Sequence, residues 1–200
     1  MMTTIGEWVM RHACQQLHDW RQAHLKLPGR LAINVSAQQF DHPDFIDRTA
    51  DIIRSADVTP QSLEMELTEN SVAVDPERAT QVLHAFRKMG MGLALDDFGM
   101  GYSSLTYLRQ FEVHKLKIDG SFIQKMVELD SERIIVATIV GMARTLGLRT
   151  LAEGVETTEQ AEMLAELGCE SAQGFLFGYP VAADEFAREW LGKPAEKEPA

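Results

Sequence analysis

Residues 93–98 of this 200-residue chain read LALDDF, a short apolar run that ends in two adjacent carboxylates, Asp96 and Asp97. Five other segments share this design, with polar residues at or near the carboxyl end of an apolar or alternating run. They are LAINVS (31–36), LEMELTE (63–69), KLKID (115–119), RTLAEG (149–154) and ESAQGF (170–175). Short runs of this kind are typical of buried or half-buried strands. The sequence therefore predicts six strands, each of which brings polar groups to one end.

Helical patterns separate most of these strands. The first runs from about Ile5 to His24, with apolar residues mostly three and four positions apart. Three more helices are predicted from a capping residue at the start and a glycine at the end, at 75–90, 130–147 and 157–168, and a last one at 183–191. Successive strands begin 21 to 34 residues apart. This alternation indicates βα units and a parallel sheet.

A TIM-type (β/α) barrel explains the pattern better than a doubly wound sheet. A dinucleotide-binding sheet needs a glycine-rich loop after its first strand, and residues 31–40 contain no glycine. Polar residues near the end of every strand are typical of a barrel. A complete barrel has eight strands in about 250 residues. We therefore expect an incomplete barrel that lacks the first-strand region, a domain at 1–192, and a disordered polar tail at 193–200.

Composition limits the class of ligand. The chain has 30 acidic and 19 basic residues, a net charge of -11. This charge argues against a surface for long nucleic acid, because phosphate backbones are held by clustered lysine and arginine. A small phosphorylated ligand is compatible with it if bound cations offset the charge locally. Two distant cysteines, no signal-peptide pattern and no bilayer-length apolar run favour a cytoplasmic location.

The strand ends together carry an acidic set. Its members are Asn34, Glu66, Glu69, Asp96, Asp97, Lys117, Asp119, Glu153, Glu156 and Gln173. Closely spaced carboxylates and amides suit a site for two hard cations that activate a water molecule. Because neighbouring strand residues face opposite sides, Asp96 and Asp97 can both be ligands only if the regular strand ends there. Taken alone, Glu66 or Glu153 is more often a solvated rim residue, and Lys117 a rim ion pair.

Several blocks resemble, in order, the signature segments of EAL-domain cyclic di-GMP phosphodiesterases. The blocks are NVS (34–36), ELTE (66–69), DDFGMGYSSL (96–105), LKIDGSF (116–122), AEGVET (152–157) and QGFLFGYP (173–180). The resemblance implies a modified TIM barrel that uses two Mg²⁺ or Mn²⁺ ions to hydrolyse cyclic di-GMP to linear pGpG in bacterial signalling. It also implies sensory or GGDEF-type domains in a longer parent protein, and a homodimer contact through the loop at 98–104.

The resemblance implies roles for individual residues. Asn34, Glu66 and Asp96 resemble the ligands of one metal. Asp96 also resembles the bridge to a second metal, which Asp97 and Glu153 would hold. A further set resembles residues that contact the substrate or support the ligands: Glu69, Gly99, Tyr102, Ser103, Asp119, Glu156, Gln173 and Pro180.

Some features leave alternatives open. Lys117 resembles the lysine that positions the attacking water, while Glu153 is the alternative as general base, and the sequence does not decide between them. Methionine stands at 100 where the family usually has threonine, and Gly120 where it more often has arginine. The Glu-Ala-Leu block, whose glutamate is a metal ligand in the family, has no match in the sequence. A catalytically inactive binding or interaction module is therefore the alternative to an enzyme.

Overall fold

A computed structural model describes residues 2–100, 108 and 110–191, with side chains from residue 5 onward. Six parallel strands form one sheet, in which neighbouring strands are also consecutive in the sequence. The strands are β1 (Leu31–Val35), β2 (Leu63–Thr68), β3 (Gly92–Phe98), β4 (Lys115–Ile118), β5 (Arg149–Ala152) and β6 (Ser171–Ala172). The structure confirms the predicted α/β class and all six strands. The last strand is only two residues long, shorter than the predicted segment.

Helices follow most of the strands. They are α1 (Met2–Gln22), α2 (Ala37–Phe40), α3 (Phe45–Ser55), α4 (Glu69–Val74), α5 (Pro76–Met89), α6 (Gly120–Ile123), α7 (Asp130–Thr145), α8 (Thr158–Leu167) and α9 (Ala183–Phe186). A 3₁₀ turn, Pro60–Ser62, precedes β2, and a π-helical turn, Ala187–Leu191, follows α9. Asp75 caps α5 by accepting a hydrogen bond from the Arg78 N–H, as its sequence predicts. Within the described ranges, no helix is long and apolar enough to cross a bilayer.

Alternation of side chains gives the sheet two different faces. On the apolar face, Leu63, Met65 and Leu93 are completely buried, and this face shares one hydrophobic core with helix residues such as Phe86. The opposite face, here called the polar face, carries charged residues at alternate positions, such as Glu64 and Glu66 of β2. Partners across parallel strands lie on the same face, so the register decides which polar residues meet.

Between two of the residue pairs that join it to β4, β3 contains one residue more than β4 does. Leu95 pairs with Leu116, but the next pair is Phe98 with Ile118, so the strand bulges between them. In a regular strand, Asp97 would be the partner of Ile118 on the apolar face. The bulge gives that buried position to Phe98 and leaves Asp97 with a left-handed backbone, φ 53°, a conformation that aspartate tolerates better than most residues. The extra residue therefore keeps a second carboxylate out of the core.

Candidate metal centre at the carboxyl edge of the sheet

Lys117 is the centre of a group of carboxylates at the carboxyl edge of the sheet. Its Nζ lies 2.8 Å from Glu66 Oε2, 3.0 Å from Asp96 Oδ1 and 2.8 Å from Glu153 Oε1. The lysine is 3% exposed, and Glu66 and Asp96 are also buried. These residues come from strand ends of β2, β3 and β4 and from the residue after β5. The parallel register places all four strand ends at one edge.

Burial alone would lower the pKa of Lys117, but its hydrogen bonds to Glu153, Glu66 and Asp96 outweigh burial and raise that pKa above its ordinary value. The side chain is therefore an ammonium group at neutral pH. An ammonium group donates all its N–H groups and has no lone pair to accept a proton. In this arrangement, Lys117 can hold an oxygen atom but cannot act as a base.

Negative charge is in excess around this lysine. Burial raises the pKa of Glu66 and of Glu153, and the Asp96 carboxylate adds to the rise, while Lys117 opposes it. The pKa of Asp97 is raised by burial first and then by its carboxylate neighbours Asp96 and Asp119. One ammonium group thus faces four carboxylates, a set here called the acidic cluster. A divalent cation would relieve this repulsion.

Three members of the acidic cluster are arranged as metal ligands are. One carboxylate oxygen from each of Asp96, Asp97 and Glu153 lies within 4.8 Å of the others. Oxygens that share one Mg²⁺ ion are about 3–4 Å apart, so small side-chain shifts suffice to coordinate a cation. The Asp97 N–H donates to Asp96 Oδ1 at 3.0 Å, which fixes the first carboxylate against the bulge. The oxygen donor set therefore fits hard divalent cations.

A buried glutamate anchors the segment that follows the bulge. The N–H of Gly99 donates to Glu69 Oε2 at 2.9 Å, and Glu69 is 3% exposed. Gly99 has φ 102°, and an added Cβ would lie 2.9 Å from Phe122, so this position requires glycine. Glu69 therefore supports Asp97 through the backbone of the segment that follows it.

Asp119 stands at the end of β4 and caps α6. Its Oδ1 accepts a hydrogen bond from the Ser121 N–H at 3.0 Å and another from the Ser121 hydroxyl. Its carboxylate is close enough to Asp97 to raise the pKa of that residue. The Ser121 hydroxyl also lies 3.5 Å from the sulfur of Met100, the position where threonine is usual. Asp119 thus borders the acidic cluster while its own hydrogen bonds serve the start of α6.

The remaining predicted site residues lie further from Lys117 or outside the described chain. Asn34 is the register partner of Glu66 and is exposed on the polar face. Three others, beyond β5 and β6, are also exposed: Glu156, Gln173 and Pro180. Tyr102 and Ser103 lie outside the described residues, as does the predicted tail at 193–200. The structure thus brings Glu66, Asp96, Asp97, Lys117 and Glu153 together, with Asn34 beside them.

Sequence reasoning missed a second ion pair on the same face. Lys115 Nζ lies 2.5 Å from Glu64 Oε1, and the Glu64 side chain is 4% exposed. These two residues stand two positions before Lys117 and Glu66 on the same strands. Side-chain alternation places Glu64 on the face of Glu66 and Lys115 on the face of Lys117, but it does not show that these strands bring the two side chains together.

Comparison with known proteins gives one family. The family model described as EAL domain matches residues 1–180. The bifunctional diguanylate cyclase/cyclic di-GMP phosphodiesterase MucR of Pseudomonas aeruginosa is 39% identical over 185 residues, which are 92% of this chain and 27% of MucR. The cyclic di-GMP phosphodiesterase NbdA of the same species is 36% identical over 194 residues, 95% of this chain and 24% of NbdA. The chain therefore spans about a quarter of the length of these relatives.

Solved structures agree with this result. A cyclic di-GMP complex of the PaMucR phosphodiesterase matches with a TM-score of 0.89 and 39% identity, over 92% of this chain and 74% of that one. A manganese and cyclic di-GMP complex of Klebsiella pneumoniae BlrP1 matches with a TM-score of 0.80 and 31% identity, over 90% of this chain and 45% of that one. The match to these proteins extends over the six-stranded sheet that carries the acidic cluster.

Proposed function

This chain belongs to the EAL domain family, and from that premise we propose that it hydrolyses cyclic di-GMP to linear pGpG with the aid of divalent cations. The observation that carries the proposal is the acidic cluster, in which one ammonium group holds three of four carboxylates at the end of a parallel sheet. An excess of buried negative charge with an oxygen donor set is what a cation site requires. A phosphodiester with a cation is a ligand that this net-negative chain can accept.

The chain offers ligands for two cations, Mg²⁺ or Mn²⁺. Asn34, Glu66 and Asp96 would hold one, and Asp96 would share a second with Asp97 and Glu153. When bound, such cations supply an activated water and offset the charge of the phosphodiester. The bulge at Asp97 and the hydrogen bond within the Asp96–Asp97 pair keep two adjacent carboxylates at one edge.

Lys117 has the role of a donor in this proposal. Its N–H groups orient Glu66, Asp96 and Glu153. One of these three hydrogen bonds can be exchanged for a hydrogen bond to a phosphate oxygen or to the attacking water. Of the two candidates for the general base, Lys117 and Glu153, only the Glu153 carboxylate has lone pairs that can accept the proton of that water. The positively charged lysine beside Glu153 would then stabilise the charge that develops on the phosphate.

Relatives of this chain are longer, so we also propose that it acts as one domain beside sensory or GGDEF-type domains. A homodimer contact through the loop at 98–104 stays a prediction, because residues 101–104 lie outside the part that the structure describes. Sedimentation velocity of the chain with and without cyclic di-GMP would measure the oligomeric state. A monomer at every concentration would contradict the dimer.

Conversion of cyclic di-GMP to pGpG by the chain in its native polypeptide tests the function. With Mn²⁺ present, we expect Asp96→Asn to lower turnover by more than about 100-fold, because it weakens the carboxylate that both cations would share. Asp130→Asn, which changes an exposed aspartate on α7, is the matched control and should turn over normally. Wild-type turnover in Asp96→Asn would refute the metal assignment. Binding of cyclic di-GMP without hydrolysis by the unaltered protein would instead favour the inactive binding module.

A further inference from the structure

A second charged group lies on the polar face, at the amino edge of the sheet. Lys115 and Arg149 are the first residues of β4 and β5 and are register partners, so their side chains leave on the same face. Glu64 of β2 shares this face with Glu66. Arg30 stands two residues before Ala32, the register partner of Glu64, and alternation places it on this face too. We call these four residues, Arg30, Glu64, Lys115 and Arg149, the floor layer.

Contacts join the floor layer across β3. Gly92 has no side chain, and Arg30 occupies the space: a Cβ added at Gly92 would lie 2.5 Å from the Arg30 guanidinium and 3.1 Å from Glu64 Cβ. Arg30 Nε also donates to the Gln61 carbonyl at 3.2 Å. Lys115 reaches the same glutamate, with Nζ 2.5 Å from Glu64 Oε1. The Arg30 guanidinium therefore lies close to the Glu64 side chain, whose carboxylate is paired with the Lys115 ammonium group.

Positive charge is in excess in the floor layer. Three cations accompany Glu64, in a chain whose net charge is -11. Among the described residues, neither Arg30 nor Arg149 has a carboxylate within ion-pair distance, and both are exposed. This positive charge also affects the pKa of His114. That pKa is lowered first by burial and then by Arg87, Arg30 and Arg149, and Glu64 opposes the decrease with a smaller effect. A purely structural ion pair between Glu64 and Lys115 does not explain why two arginines without a carboxylate partner lie on the same face.

We propose that the floor layer binds a small phosphate-type oxyanion, with Arg30 and Arg149 as the binding groups and the Glu64–Lys115 pair as their buried support. Guanidinium groups match two oxygens of a phosphate at once, which makes exposed arginines without a carboxylate partner suited to such a ligand. The site is at the opposite end of the strands from the acidic cluster and does not depend on the proposed hydrolysis.

Titration of the chain with inorganic phosphate tests this site, in EDTA so that no cation recruits phosphate to the acidic cluster. We expect the ring signals of His114 in NMR spectra to shift and the pKa of His114 to rise, because a bound anion offsets the arginines that lower it. His12 and His18 on α1 serve as internal references. Phosphate should bind at least ten times more weakly to the double variant Arg30→Gln/Arg149→Gln. Arg54→Gln, which changes an exposed arginine paired with Asp51, should bind as the unaltered chain does.

Two results would contradict the phosphate site. No shift of His114 at phosphate concentrations up to about 20 mM would overturn the proposal, as would unchanged affinity in the folded double variant. If that variant does not fold, Arg30→Lys and Arg149→Lys keep the charge and lose the planar fork, and each should bind phosphate several times more weakly.

A parallel titration with guanosine 5′-monophosphate separates the ligand sources. Equal affinities assign recognition to the phosphate alone, and tighter binding of the nucleotide assigns a phosphomonoester.

Discussion

The two ends of the polar face use the same pair of residue types with opposite results. At the carboxyl edge, Glu66 pairs with Lys117, and three further carboxylates make the surroundings negative. At the amino edge, Glu64 pairs with Lys115, and two further arginines make the surroundings positive. Each pair joins β2 to β4 across β3, and each spans 51 residues of sequence. The neighbours of a buried ion pair, and not the pair itself, therefore determine which ligand it suits.

Removal of each lysine in turn should give the largest difference between the two ends. Lys117→Met removes the ammonium group that is paired with the acidic cluster. The substitution should lower the free energy of unfolding by about 3–5 kcal/mol in EDTA at neutral pH. Lys115→Met leaves Arg30 beside Glu64, and its loss should be about 1–3 kcal/mol. Urea denaturation of both variants measures the two values. Equal losses would show that the neighbours do not matter, and the comparison would fail.

Stabilisation by a divalent cation should also differ between variants of the two ends, by less than the loss of the lysines does. Mn²⁺ at about 100 times its dissociation constant should stabilise the chain by about 2.7 kcal/mol, because only the folded state brings the ligands together. Asp97→Asn, in the acidic cluster, should reduce this gain, and Glu64→Gln, in the floor layer, should leave it unchanged. Thermal melting with and without Mn²⁺ tests both variants. Equal responses would place the cation site elsewhere.

The pH dependence of stability should be the smallest of the three effects. Because the pKa values of Glu66 and Glu153 are raised in the folded chain, the folded state keeps protons that the unfolded state has released. This contribution is fully present below the ordinary glutamate pKa, 4.5, and is lost as pH rises through the raised values. The metal-free chain should therefore lose stability over that range, less steeply in Glu66→Gln. A rise in stability through this range, measured by urea denaturation, would contradict the charge excess.

Much of the secondary structure could be predicted from local patterns. The run LALDDF gave β3, and the caps Asp75 and Gly90 gave the limits of α5. Helix α3 was not predicted, although Phe45, Ile52 and Ile53 have helical spacing. The left-handed residue that follows its end is Asp57 and not a glycine, so the signal that marked the ends of the other helices is missing.

The site was predicted less completely, because its geometry depends on contacts distant in sequence. Strand ends gave the acidic residues, but alternation alone placed Asp96 and Asp97 on opposite faces. Only the register with β4 reveals the bulge that resolves this conflict. Similarly, Lys117 looked like a rim residue until its three carboxylate partners were known. Pairing across 51 residues leaves no local pattern for a single sequence to show.

The bulge also has a consequence for how such a chain can change over generations. Side chains along a strand alternate with a period of two, so the loss of one residue normally exchanges the inner and outer faces of everything after it. Asp97 is surplus to that count, because Leu95 and Phe98 already pair with Leu116 and Ile118. Deletion of the single Asp97 codon would restore a regular strand and keep Phe98 in the core. A ligand can therefore be discarded or regained here in one genetic step while the rest of the strand keeps its orientation.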